Sequence, residues 1–169
     1  MIRRLFATAA VSTIALGTLG ALAVPGQAVT PSAKPAKSCT LLKTSEISQA
    51  FGGATVTPGD AGINTVISNE CHYDVAANGD IPSGTVTVHV MSPRGKIAFK
   101  GHEKGTFGFK SVPGEKGVLY WDKTGSSEML KGDTLVGVQG VFIGDTLPVA
   151  QHDAHAQVIA LNKIAVKRA

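Results

Sequence analysis

Two of the five histidines in this 169-residue chain, His152 and His155, are three positions apart with Asp153 between them. On a helix that spacing puts both imidazoles within one turn, close enough to share a metal ion. A zinc site needs at least three protein ligands, and no third one is identifiable, so no metal or cofactor is assigned and His152 and His155 are only an incomplete candidate. His72 and His89 form a second pair. They lie in the alternating segments Cys71–Val75 and Thr85–Met91, separated by the turn-rich AANGDIPSG. That pattern predicts an antiparallel hairpin centred near residue 80. Its non-core face would carry His72 and His89 roughly opposite each other, with Asp74 and Thr87 one step along, able to hold a metal or respond to pH.

Residues 94–123 are the most suggestive stretch. Arg94, Lys96, Lys100, Lys104, Lys110, Lys116 and Lys123 stand against Glu103, Glu115 and Asp122, with Phe99, Phe107, Phe109, Tyr120 and Trp121 interleaved. Cationic and aromatic side chains together suit an anionic polymer or a protein partner. The candidate binding surface is therefore Arg94, Lys96, Lys100, Lys104, Lys110, Tyr120 and Trp121. The competing reading makes the phenylalanines core and the lysines a solvated loop. No catalytic residue is assigned. The chain has no Gly-x-Ser-x-Gly elbow, no His-Glu-x-x-His and no phosphate-cradling loop.

The first residues set the context. Arg3 and Arg4 precede an uncharged apolar run, Leu5 to Val24, and Gly26 and Ala28 are small residues at the positions a signal peptidase reads. This is the layout of a secretory signal peptide over 1–28, cleaved after Ala28. Losing Arg3 and Arg4 lowers the net charge from +4 to +2. That is too little to argue for nucleic acid or an anionic membrane as partner. The remainder has no second long apolar run, so the expected location is extracellular with no stable membrane anchor.

Export decides how the two cysteines are read. Cys39 lies well downstream of the apolar run, past Pro35 and two lysines, which does not suit a lipid anchor. An even pair in an oxidising compartment is by default a disulfide, so Cys39–Cys71 is expected.

These residues need elements to position them. Residues 29–38, rich in Pro, Ala, Lys and Ser, read as a flexible linker before a single domain over 39–169. Thr44 as N-cap, the spacing of Ile47, Ala50 and Phe51, and the stop at Gly52-Gly53 predict a short helix. Strands follow, including 118–122, 127–130 and 135–142. A last helix from about Pro148 to Lys167 carries the stripe Ala154, Val158, Leu161 and Ala165. The fold class is α+β, an antiparallel sheet with the short N-terminal and the longer C-terminal helix packed on one face.

The run Cys39-Thr-Leu-Leu-Lys-Thr-Ser-Glu-Ile-Ser, then Phe51-Gly-Gly and Cys71-His-Tyr73, resembles a group of secreted and lipid-anchored actinobacterial proteins of unknown function. Their signature is Cys-x-Leu-Leu-[Ser/Thr] followed by Cys-x-[Trp/Tyr]. The opening is also distantly similar to extracellular sensor domains of mycobacterial Ser/Thr kinases. The resemblance implies the same disulfide and an α+β sheet, and brings no activity with it. This chain departs from most of the group in lacking the lipidated cysteine, which implies release. The leading expectation is a secreted, non-enzymatic domain binding a protein or cell-envelope ligand. The alternatives are a secreted hydrolase or metal-dependent enzyme with an unrecognised site, and a structural or antigen-like secreted protein.

Overall fold

A computed structural model of the chain describes residues 38–142 and 149–169, with the side chains of the last helix described from Ala154 on. The expected signal peptide, nearly all of the linker, Pro148 and the side chain of His152 lie outside the described residues.

A 3-10 turn at Ser38–Thr40 leads into helix α1 (Thr44–Ala50). Strands β1 (Val56–Pro58), β2 (Ser68–Val75) and β3 (Gly84–Met91) follow, then helix α2 (Gly95–Glu103) and a second 3-10 turn at Thr106–Gly108. Strands β4 (Lys110–Ser111), β5 (Val118–Trp121), β6 (Ser126–Lys131) and β7 (Thr134–Phe142) precede helix α3 (Val149–Arg168). The seven strands form one antiparallel sheet in the order β1-β2-β3-β7-β6-β5-β4. The expected α+β architecture is present, with α1 and α3 on one face. The stretch 94–123 departs from the expectation of strands and loops, because it also builds α2.

Side chains alternate between the faces of a strand, so the register assigns each residue to one layer. On the first face Val86, Val88, Val90, Val136, Val138 and Tyr120 pack with Ile47 of α1 and Val158, Leu161 and Ala165 of α3. On the second face Phe99 of α2 packs with Phe109, Leu119 and Leu135, flanked by Met91, Trp121 and Leu130. β7 is central and covered on both sides, with Val136 and Val138 inward on one side and Leu135 and Gly137 on the other.

The first face is also held from its N-terminal end. Cys39 and Cys71 form the expected disulfide, with Cα atoms 5.0 Å apart. Beside it the Tyr73 hydroxyl donates to the carbonyls of Leu42 and Cys39 at 3.0 and 3.2 Å. Staple and hydroxyl together fix the 38–42 segment on β2, which sets where α1 begins. That start is one residue earlier than expected. Lys43 occupies the N-cap position, and its N–H donates to Glu46 Oε2 at 2.8 Å. Glu46 also meets Arg168 at the far end of α3, through Nη1 at 2.7 Å and Nη2 at 2.5 Å. The Arg168 hydrogen bond holds the Glu46 carboxyl down at about 2, against an ordinary 4.5. Lys131 closes the same end of α3 by donating to the carbonyls of Lys167 and Ala169.

Candidate functional site

The second face departs from an ordinary core where polar side chains are brought under α2. Cross-strand pairing sets Glu70, His89, Gly137, Glu128 and Leu119 in one row across β2, β3, β7, β6 and β5. Glu128 is only 3% exposed. A carboxylate removed from water that far needs proton donors around it. Two imidazoles supply them. His102, on the last turn of α2, places Nδ1 2.5 Å from Glu128 Oε2. His89, two strands away on β3, places Nε2 3.5 Å from Oε1.

Gly137 makes the second contact geometrically possible. A Cβ at Gly137 would fall 1.8 Å from Cε1 of His89, so the imidazole occupies the space that any side chain on β7 would take. The ring lies across β7 and reaches the carboxylate beyond it. Gly95 acts in a similar way at the start of α2, where an added Cβ would fall 2.1 Å from the backbone nitrogen of Leu135. That close approach seats α2 on the sheet with His102 above Glu128.

His102 connects this buried cluster to the surface. Its ring stacks on Phe109 at 4.8 Å between centroids and 8° between planes, and meets Phe107 edge-on at 5.4 Å. Phe109 in turn packs against Trp121 at 5.6 Å. Phe109 is buried, yet Phe107 is 64% exposed. Phe107 also has φ of +63°, left-handed backbone that a phenylalanine rarely adopts, between Gly105 and Gly108 at +88° and +85°. Gly108 lies so close to Trp121 that a Cβ there would be 2.9 Å from the indole Nε1. The outcome is a hollow of about 430 Å³ lined by Phe107, Gly108, Lys110, Trp121, Asp122 and Lys123.

The candidate residues read from the sequence divide accordingly. Arg94, Lys96, Lys100, Lys104 and Lys110 are all exposed along α2 and the segment that follows it. Lys110 and Trp121 meet in the hollow. Tyr120 does not belong to that surface. Its neighbour Trp121 takes the second face, so Tyr120 points to the first, where it is buried and stacks on His155 at 3.7 Å. Burial pushes its hydroxyl up to about 12. The competing core reading holds for Phe99 and Phe109 but not for Phe107.

The histidine pairs also change. The hairpin is centred as expected, but His72 faces Thr87, with Nδ1 3.0 Å from Oγ1, and His89 faces Glu70. The two imidazoles therefore lie two register positions apart on the same face. Asp74 lies opposite Thr85. On α3, His155 has Nε2 buried without a hydrogen-bond partner and borders a separate groove of about 470 Å³, where Lys163 pairs with Glu115. Among the described residues no group of three or more His, Cys, Asp and Glu is placed to hold a metal ion. No helix among them is long and apolar enough to cross a membrane. Sequence reasoning missed Glu128, His102 and Gly137, for which the one local signal was a glycine in the middle of a β-rich run.

The chain matches no family model, no curated protein and no solved structure.

Proposed function

We propose that this chain is an exported, non-enzymatic binding domain whose ligand surface is the hollow between Phe107 and Trp121, and whose ligand is an anionic polymer of the cell envelope. The observation that carries this reading is Phe107, an exposed aromatic in a left-handed conformation at the rim of the hollow. Neither burial nor backbone preference favours a phenylalanine there, and strain of this kind concentrates where a surface is used. Charge supports the polymer. Arg94, Lys96, Lys100, Lys104 and Lys110 form an exposed cationic run that ends at the hollow. Aromatic faces suit the apolar face of a sugar ring, the lysines suit its acidic groups, and Asp122 accepts from hydroxyls. Asp122 also weighs against a polyphosphate backbone such as nucleic acid.

Titration with polygalacturonate, against neutral dextran of similar length, tests the reading. Salt-sensitive binding of polygalacturonate alone is expected, weakened about tenfold or more by Phe107→Ala at unchanged thermal stability. Equal affinity for both polymers, or indifference to Phe107→Ala, would remove the hollow as the ligand surface. Export is tested by the intact mass of the protein recovered outside the cell, which should begin at Val29.

The gathering of His89, Glu128 and His102 favours a second reading, an acid–base site of a hydrolase. Neither hollow described above is lined by these three residues. This reading therefore requires α2 to move, and turnover of a glycoside or ester panel that Glu128→Gln abolishes would support it.

A further inference from the structure

The buried cluster lies directly beneath the loop that shapes the hollow. Glu128 offers one carboxylate to two imidazoles, and its surroundings contribute few other charges. In its cross-strand row β2 supplies Glu70 beyond His89, with His72 Nε2 3.9 Å from the Glu70 carboxylate on the same strand, while β7 and β5 supply Gly137 and Leu119, which do not ionise. From α2 comes His102, with Glu103 and Lys104 following it at the exposed end of the helix. From the turn before β4 come Phe107 and Phe109, again without charge. The charge state of the cluster is therefore set mainly by how many protons its two histidines hold.

Histidine changes charge between about pH 5 and 8. A charge-assisted hydrogen bond is about twice as strong as a neutral one. While at least one imidazole is charged, Glu128 is compensated and His102 is held firmly. When both are neutral the carboxylate is left buried with only neutral donors, the less favourable state for so enclosed a charge. His102 carries that difference outward, because its ring supports Phe109 by stacking and Phe107 by its edge.

We propose that the His89–Glu128–His102 cluster is a proton-operated support for the hollow, holding the 104–109 loop in its ligand-taking shape at mildly acidic pH and loosening it at alkaline pH. The part played in binding rests on reading the hollow as the ligand surface; the loop movement does not, and the chain carries its own reporter of it. Trp121 is the sole tryptophan, and it packs against Phe109, the ring on which His102 stacks.

The experiment follows the Trp121 Nε1–H resonance and the histidine ring resonances of the folded protein from pH 5 to 8, without ligand. One shared step in the Trp121 and His102 signals is expected in the unsubstituted protein. The Trp121 step should persist in His72→Gln and vanish in Glu128→Gln, where His102 still titrates but no longer moves the loop. Affinity for polygalacturonate should fall about tenfold across the same step, within the usual range of coupling between sites. A Trp121 signal that does not move, or moves identically in Glu128→Gln, overturns the proposal. Should Glu128→Gln not fold, separate midpoints for the Trp121 and His102 signals in the unsubstituted protein overturn it equally. A shared step without polygalacturonate binding at any pH retains the switch and removes the hollow's ligand. Binding that ignores the step removes the coupling and keeps the ligand.

Discussion

The two faces of the sheet are built on opposite principles. The first is closed by α1 and α3 over a valine-rich floor, stapled by Cys39–Cys71 and tied beside that staple by Arg168, which reaches Glu46 and the carbonyl of Leu41. Among its buried polar groups Asn162 of α3 donates to Ser127 of β6 at 3.1 Å, while Asn162 Oδ1 and His155 Nε2 are left without a hydrogen-bond partner. The second carries a short helix over a smaller apolar cluster, and beside it a buried carboxylate, two imidazoles and a strained aromatic. The first face reads as an element built for stability. The second holds features that cost stability, and such features are where function is sought.

The contrast can be broken most forcefully at the staple. Removing it with Cys39→Ser and Cys71→Ser together should cost about 3–4 kcal/mol, the loop-closure value for roughly 33 residues, measured by urea unfolding. The loss should leave the second face intact in the folded protein, so the Trp121 Nε1–H resonance should keep its position in native buffer. A displaced resonance would show that the faces are not independent.

On the second face the expected costs are smaller and, taken together, cancel. Glu128→Gln alone should destabilise by about 1–3 kcal/mol, because it leaves imidazole groups poorly partnered. Replacing all three, as His89→Leu, His102→Leu and Glu128→Met, should restore that stability or exceed it, as buried ionic clusters commonly allow. A triple variant as unstable as the single one would make the cluster a structural requirement and blur the contrast. Phe107→Asn should change stability by less than about 1 kcal/mol, relief of left-handed strain offsetting the lost contact with His102. The same substitution should abolish polygalacturonate binding.

The legibility of the two faces differed in the same way. The hairpin was readable because β2 and β3 alternate apolar and polar residues, and α3 because its stripe repeats at helical spacing. The disulfide followed from an even cysteine pair and the expectation of export. α2 was not readable: it has nine residues, two of them glycine, and only Phe99 is an inward-facing large apolar side chain. Docking against Leu119 and Leu135 makes it a helix, and that partner is set by distant chain. In β6 the run SSEMLK gives no contrast between its two faces, so nothing local marks Glu128 as buried. Its partner His102 is 26 residues away on the unread helix. Phe107 could not be separated from Phe99 and Phe109, because exposure there depends on backbone at positive φ at Gly105, Phe107 and Gly108.

The smallest expected effect separates the faces by pH. Glu46 titrates at about 2 in the folded protein, held down first by its hydrogen bond to Arg168, against 4.5 unperturbed. A depressed carboxylate stabilises the fold fully above its unfolded value and loses that contribution as pH falls through the folded one. The tie between α1 and α3 should therefore weaken between about pH 4.5 and 2, and stay constant between pH 5 and 8. Both partners are partly open to solvent, so the effect is modest and salt should reduce it. Urea unfolding of Glu46→Gln against the unsubstituted chain, at steps from pH 6 to 2.5, should give a stability difference that is constant above pH 5 and shrinks below 4.5. A difference that is undiminished at pH 2.5 would mean that Glu46 acts through packing rather than charge. One that varies between pH 5 and 8 would mean that the first face feels the histidine cluster, and the division of labour between the two sides of the sheet would fail.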